Sequence, residues 1–316
     1  MKTLETARIL TAMVTPFDKK GALAMEMIPV VVNYLLEHHT EGIVVGGTTG
    51  ESPTLSEEEK LILYKETIKA VAGRVPVICG VSSNDTRSSA LFIQQVAKLE
   101  GVSAGLCVVP YYNKPSQEGL YQHFKTLADA SDLPIILYNV PGRTGINMTV
   151  ETTLKLAKIP NIIGTKECQG LEAFTQLVTH VPQDFLVYSG EDHLGLFCRL
   201  IGGAGIISVS SHVVGNEMYE MYQALEEKDI DKAARIHKDL SPVFDVVFSV
   251  PSPAPIKTIY NEWGLIVGEP RLPLVSCDEN EKRKIKTEQT FLKTRNEQFS
   301  YDKMSLQEKG RWSDEF

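Results

Sequence analysis

Primary amines attack carbonyl carbons when they are uncharged, and one lysine of this chain stands where it could lose its proton. Thr165-Lys166-Glu167 follows directly on the apolar run Ile162-Ile163-Gly164, which puts the Lys166 amine at the end of an expected strand, among apolar neighbours. A free lysine, with a pKa of about 10.4, is neutral in only roughly a few molecules per ten thousand at pH 7. Lowering that value by about 3 units takes roughly 4 kcal/mol of preference for the neutral amine, which an apolar interior supplies by desolvation. Schiff-base chemistry on a carbonyl substrate then becomes available. Glu167 would oppose the shift from the same face, but neighbours in a strand face opposite sides, so its carboxylate is expected to point away. Against this stands the ordinary fate of a lysine at a strand end, an apolar stem with its charge in solvent. The other segments of the chain decide between the two.

Four more apolar runs end in polar groups. They lead into Gly47-Thr48-Thr49-Gly50-Glu51-Ser52, Pro110-Tyr111-Tyr112-Asn113, Tyr138-Asn139-Val140-Pro141-Gly142-Arg143-Thr144 and Ser189-Gly190-Glu191-Asp192. Hydroxyls, phenols, an arginine and a lysine would converge if those runs were parallel strands ending on one side. The seven histidines include no H-x-H or H-x-x-x-H pair, which argues against a metal-dependent hydrolase and for a site without metal.

The elements needed to gather them are legible. Short apolar runs occur at Ile9 to Val14, Ile43 to Val45, Val75 to Val81, Gly105 to Val109, Ile135 to Tyr138, Ile162 to Gly164, Phe185 to Tyr188 and Gly205 to Val209. Segments of helical spacing separate them, such as Leu61, Tyr64, Ile68 and Val71. That helix is announced by the capping box Ser56–Glu59, with Gly73 suited to its far end; another carries Ile28, Val31, Val32 and Leu35 on one stripe, with Pro29 in its first turn. The pattern predicts an α/β protein, a (β/α)8 TIM barrel, whose site lies at the carboxyl ends of the strands. An open doubly wound sheet would carry a G-x-G-x-x-G or P-loop pattern after its first strand, and neither is present. The barrel is expected over residues 1–225, extra C-terminal helices over 226–294, and a polar, disordered tail over 295–316.

A formal net charge of −8 excludes a broad nucleic-acid-binding face. The five cysteines never form a C-x-x-C pair and are expected to be free thiols of a reducing compartment. Neither a signal-peptide pattern at the amino terminus nor a long apolar run is present, so a cytoplasmic protein without membrane contact is expected.

The segments Gly47-Thr48-Thr49-Gly50-Glu51, Tyr138-Asn139-Val140-Pro141-Gly142-Arg143-Thr144 and Ile162-Ile163-Gly164-Thr165-Lys166-Glu167 together resemble the dihydrodipicolinate synthase and N-acetylneuraminate lyase family of class I aldolase-type enzymes, over nearly the whole chain to about Lys293. With Pro110-Tyr111-Tyr112-Asn113-Lys114-Pro115 and Arg143, the resemblance implies condensation of pyruvate with aspartate-semialdehyde on the route to diaminopimelate and lysine. It implies a covalent imine at Lys166 with no metal or organic cofactor. It further implies a proton relay of Tyr138, Tyr112 and Thr48, with Tyr112 reaching into the neighbouring subunit's site and Tyr111 lining the pocket or interface. Thr49 would meet the pyruvate carboxylate and Arg143 that of the second substrate, with a loop salt bridge as the alternative for Arg143. Gly190 and Ile207 would touch substrate through their backbones. A homotetramer, built as a dimer of dimers, or a homodimer is implied. Lysine-inhibited members carry an effector pocket that Ser52, Asn84 and Tyr111 match here, whereas Glu57, Lys60 and Ser88 depart from it. Lys60 would repel a cationic effector if it faces the pocket, so little lysine feedback is expected. Two other readings stay open: a sugar-acid aldolase acting on N-acetylneuraminate or a 2-keto-3-deoxy acid, and a non-catalytic barrel that binds pyruvate or an amino acid.

Overall fold

The eight apolar runs become eight parallel strands in the computed structural model, which describes residues 2–293. They are β1 (Ile9–Ala12), β2 (Gly42–Val45), β3 (Val77–Gly80), β4 (Ala104–Val108), β5 (Ile135–Asn139), β6 (Ile162–Glu167), β7 (Leu186–Ser189) and β8 (Gly205–Ser208). Each pairs with the next until β8 closes on β1, which makes a (β/α)8 barrel. Both faces of such a sheet are covered, so its strands read as continuous apolar runs. Alternation still decides which core a residue joins. Leu10, Val44, Ile78, Leu106, Ile136 and Ile207 fill the barrel interior. Their neighbours Ile9, Ile43, Val77, Cys107, Ile135 and Ile206 pack outwards under the helices.

The helix Glu57–Val71 begins as its sequence predicts. Ser56 Oγ accepts from the Glu59 N–H at 3.1 Å and Glu59 Oε2 accepts from the Ser56 N–H at 2.9 Å, a cap that stabilises by about 1 kcal/mol. At the far end Ala72 takes the first left-handed position, with φ 50°, and Gly73 follows. The helix Met27–Glu37 buries Ile28, Val31, Val32 and Leu35, the stripe read from sequence.

After β8 come the helices Ser211–Glu226, Ile230–Val247, Ala254–Glu262 and Glu279–Lys293. Phe244, Ile256, Ile259 and Val267 join the same outer core as the barrel helices, so the C-terminal layer is packed onto the barrel rather than built around a core of its own. The tail expected over 295–316 lies outside the described residues. No described helix is long and apolar enough to cross a membrane.

His212 locks the strand ends where the barrel closes. Its Nε2 accepts from the Val14 N–H at 3.2 Å, which leaves Nδ1 to donate to the Val209 carbonyl at 2.8 Å. Full burial pulls its pKa down to about 4, since an imidazolium could not accept from Val14. The unfolded chain therefore takes up this proton first as pH falls. Stability is lost between about pH 6.5 and pH 4, by on the order of 3 kcal/mol from this residue. Urea midpoints measured against pH should show this loss, and His212→Asn should flatten it while lowering stability at pH 7. An unchanged acid slope in the variant would assign the loss to other groups.

Candidate active site

Lys166 reaches the barrel interior because β6 is irregular. Ile162 pairs with Ile135, but the next pair in register is Gly164 with Ile136, so Ile163 is an extra residue in the ladder. Strict alternation from the outward Ile162 would put Lys166 outward, opposite Asn139. The one-residue shift pairs it with Tyr138 instead, an inward residue. Gly164 makes this packing feasible, since a Cβ there would lie 2.5 Å from the Leu186 carbonyl oxygen.

The amine then lies 4.5 Å from the centre of the Tyr138 ring, and the residue is only 6% exposed. Gly190 borders the lysine stem: a Cβ at that position would come within 2.7 Å of Lys166 Cε. On the outward face, Glu167 turns away from the amine, as alternation predicts. Its carboxylate accepts from Asn139 Nδ2 at 3.2 Å and from the Cys168 and Gln169 N–H groups at 2.9 Å. Burial pushes its pKa up to about 7 against these hydrogen bonds. Asn139 also accepts from the Met148 N–H at 3.1 Å, so the Glu167–Asn139 pair ties β6 to the loop that carries Arg143. That role for Asn139 was not read from sequence, although the residue lies within the quoted motif.

At the carboxyl ends of β2 to β5 opens a cavity of about 280 Å³. Thr48, Ser52, Lys60, Tyr111, Tyr138 and Arg143 all line it. Lys166 is not in this wall, but Tyr138, whose ring its amine faces, is. Thr49 is buried and does not line the cavity. Arg143, on the short helix Pro141–Thr144, is exposed and has no carboxylate partner among the described residues, so the loop salt bridge is not formed. Lys60 faces the cavity from the helix Glu57–Val71, and burial lowers its pKa against the pull of Glu57. Glu57 and Ser88 are exposed and outside the cavity, and Asn84 Nδ2 donates to the Tyr111 carbonyl at 3.1 Å. Ile207 lies inside the barrel core.

Tyr112 stands apart. Its side chain is 87% exposed and its backbone is left-handed, with φ 74°. It lies beside Lys114 and Arg143 on a shallow outer hollow that adjoins the cavity. Sequence reading also passed over Lys257 and Arg271, which hold the threonine loop from behind through Glu51. Among the described residues no three His, Cys, Asp or Glu side chains are grouped to hold a metal ion.

Fold and site together define a barrel protein with a buried lysine at the carboxyl ends of its strands. The profile of the Dihydrodipicolinate synthetase family matches residues 5–290. A protein of Enterococcus faecalis named 4-hydroxy-tetrahydrodipicolinate synthase is 55% identical over 282 residues, which are 89% of this chain and 97% of that protein. The crystal structure of a dihydrodipicolinate synthase from Bacillus anthracis superposes with a TM-score of 0.88 at 45% identity, covering 90% of this chain and 98% of that one. A structure from Cyanidioschyzon merolae with lysine bound gives a TM-score of 0.88 at 38% identity, covering 91% and 98%. The chain belongs to the Dihydrodipicolinate synthetase family and is a lyase.

Proposed function

We propose that this chain condenses pyruvate with L-aspartate-4-semialdehyde, the 4-hydroxy-tetrahydrodipicolinate synthase reaction, through an imine on Lys166. The observation that carries the reading is the buried Lys166 amine against the Tyr138 ring, next to a cavity whose wall holds Arg143, without a carboxylate partner among the described residues. The neutral amine attacks the pyruvate ketone, and loss of water gives the imine. Removal of a methyl proton converts the imine to an enamine, whose carbon attacks the aldehyde. Each step moves a proton, and an isolated phenol is a poor base; a hydrogen-bonded chain of Tyr138, Thr48 and a second tyrosine passes protons without building charge. The Thr48-Thr49 loop receives the pyruvate carboxylate, and Arg143 offers a fork to the carboxylate of the aldehyde.

Tyr112 completes the relay from a second copy of the chain, which makes the active form at least a dimer and accommodates a dimer of dimers. Its exposure and strained backbone support this role. No metal or organic cofactor is needed. The five free cysteines suit a reducing cytoplasm. Arg143 also favours a carboxylate-bearing aldehyde over a polyhydroxy sugar acid as second substrate. Incubation with pyruvate and borohydride followed by peptide mapping tests the reading. A reduced adduct on the peptide holding Lys166 is expected, and its absence overturns both the condensation and the sugar-acid aldolase reading. Turnover of sugar acids in preference to aspartate-semialdehyde would reassign the substrate.

Lysine is expected to be a poor inhibitor. Lys60 faces the cavity with its charge only partly solvated, and the acidic partner that a cationic effector would need is absent at Ser88. A coupled assay should show little inhibition at millimolar lysine, and a half-point below that range would refute the expectation.

A further inference from the structure

A charge pair that the reaction does not use lies behind the threonine loop. Glu51 Oε1 sits 2.7 Å from Lys257 Nζ, and the two side chains are 1% and 0% exposed. The other carboxylate oxygen accepts from the Arg271 backbone N–H at 2.8 Å. Lys257, on the helix Ala254–Glu262, also donates to the Glu269 carbonyl at 3.2 Å, with its ammonium 4.1 Å from the centre of the Phe17 ring. The Arg271 guanidinium lies over the same ring and binds Glu59 and the Thr54 carbonyl. Residues 257–271 thus clamp the segment from Glu51 to Glu59.

From Glu51 the connection continues to the site. Its N–H donates to the Thr48 carbonyl at 3.0 Å, and the Ser52 N–H donates to the Gly47 carbonyl at 3.2 Å. Glu51 holds a left-handed backbone, φ 57°, which costs a non-glycine residue about 1–2 kcal/mol. Such strain persists where the surroundings over-determine it. Burying the pair costs several kcal/mol per ion, and apolar residues of similar volume are often as stable. Two separate costs therefore meet at one residue, three positions from Thr48. Stability alone does not account for them, whereas a fixed loop geometry does.

We propose that Lys257 is a positioning residue for the reaction, acting through Glu51 to hold the Thr48 hydroxyl at the cavity wall. The C-terminal helical layer thereby sets geometry in the barrel's site. This rests on Thr48 serving in the proton relay proposed above.

The test compares the full-length wild type with Glu51→Leu/Lys257→Met, which removes both charges, and with Glu51→Gln, which keeps the size and the Arg271 contact. Melting temperature, the borohydride-trapped pyruvate adduct and steady-state kinetics are read on all three. The adduct should form to the wild-type extent at saturating pyruvate, while kcat falls about 10²-fold in the double variant and about tenfold in Glu51→Gln, with KM for aspartate-semialdehyde moving less than about threefold. Should the double variant fail to fold, Glu51→Gln alone decides. Wild-type kcat in the folded variants, or a change confined to KM or melting temperature, overturns the proposal. Absence of adduct in the wild type itself overturns the functional reading, and this proposal with it, so the two failures are told apart.

Discussion

Lys166→Ala should lower kcat by about 10⁴-fold or more, the scale on which removal of a covalent nucleophile acts. The side chain reaches the interior only through the register shift at Ile163, and among the described residues no other lysine is placed over the Tyr138 ring. Alanine removes the amine without filling the space bounded by Gly190, and β6 keeps its backbone pairs to β5 and β7. The fold should therefore survive, and a folded variant without activity isolates the chemical role. The measurement is turnover in a coupled assay, together with the mass of the protein after incubation with pyruvate and borohydride. Retained turnover, or an adduct still formed at another lysine, would remove Lys166 from the mechanism. Lys257 is the internal control for specificity: it too is buried, but its ammonium is held by Glu51, whereas no carboxylate among the described residues pairs with Lys166.

Tyr112→Phe should cost about 10²-fold or more in kcat, the usual scale for a group that transfers protons. Phenylalanine keeps the ring and its apolar surface while the hydroxyl is lost. Within one chain this tyrosine serves no purpose that the fold reveals. It is 87% exposed and occupies a left-handed backbone that costs a non-glycine residue about 1–2 kcal/mol. A relay group supplied to a second copy accounts for both features, and it makes a test that the single variant cannot. Co-expressed Tyr112→Phe and Lys166→Ala chains would form mixed dimers in which one site combines Lys166 of one chain with Tyr112 of the other. Random pairing would then restore about a quarter of wild-type activity, although each variant alone is nearly inactive. No recovery in the mixture would show that Tyr112 does not act across an interface.

Much of this protein was legible in its sequence because its signals are local. Eight apolar runs bounded by turn residues define eight strands, a run of four with one polar end being a property of a few adjacent residues. The capping box at Ser56 and Glu59 fixed a helix start in the same way. The motifs after β2, β5 and β6 named the candidate side chains, and a closed parallel barrel brings such strand ends to one side. Lys60 shows where local information stops. A lysine on the helix Glu57–Val71 faces either solvent or the cavity according to how the helix rolls on the barrel, and packing alone turned it inward.

The sequence by itself determined the element order, the barrel and the side chains that stand as candidates for the chemistry. Tertiary structure decided which way those groups face. Counting alternately from the outward Ile162 gives Lys166 the wrong side of β6; the extra residue at Ile163 is visible only in the pairing of β6 with β5. The exposure of Tyr112 and the hold of Lys257 on Glu51, across 206 positions of chain, are likewise products of packing. The reason is common to all three. Periodicity records that a residue lies on a face, but the direction of that face is set by contacts with elements remote in sequence, and those exist only once the barrel has closed.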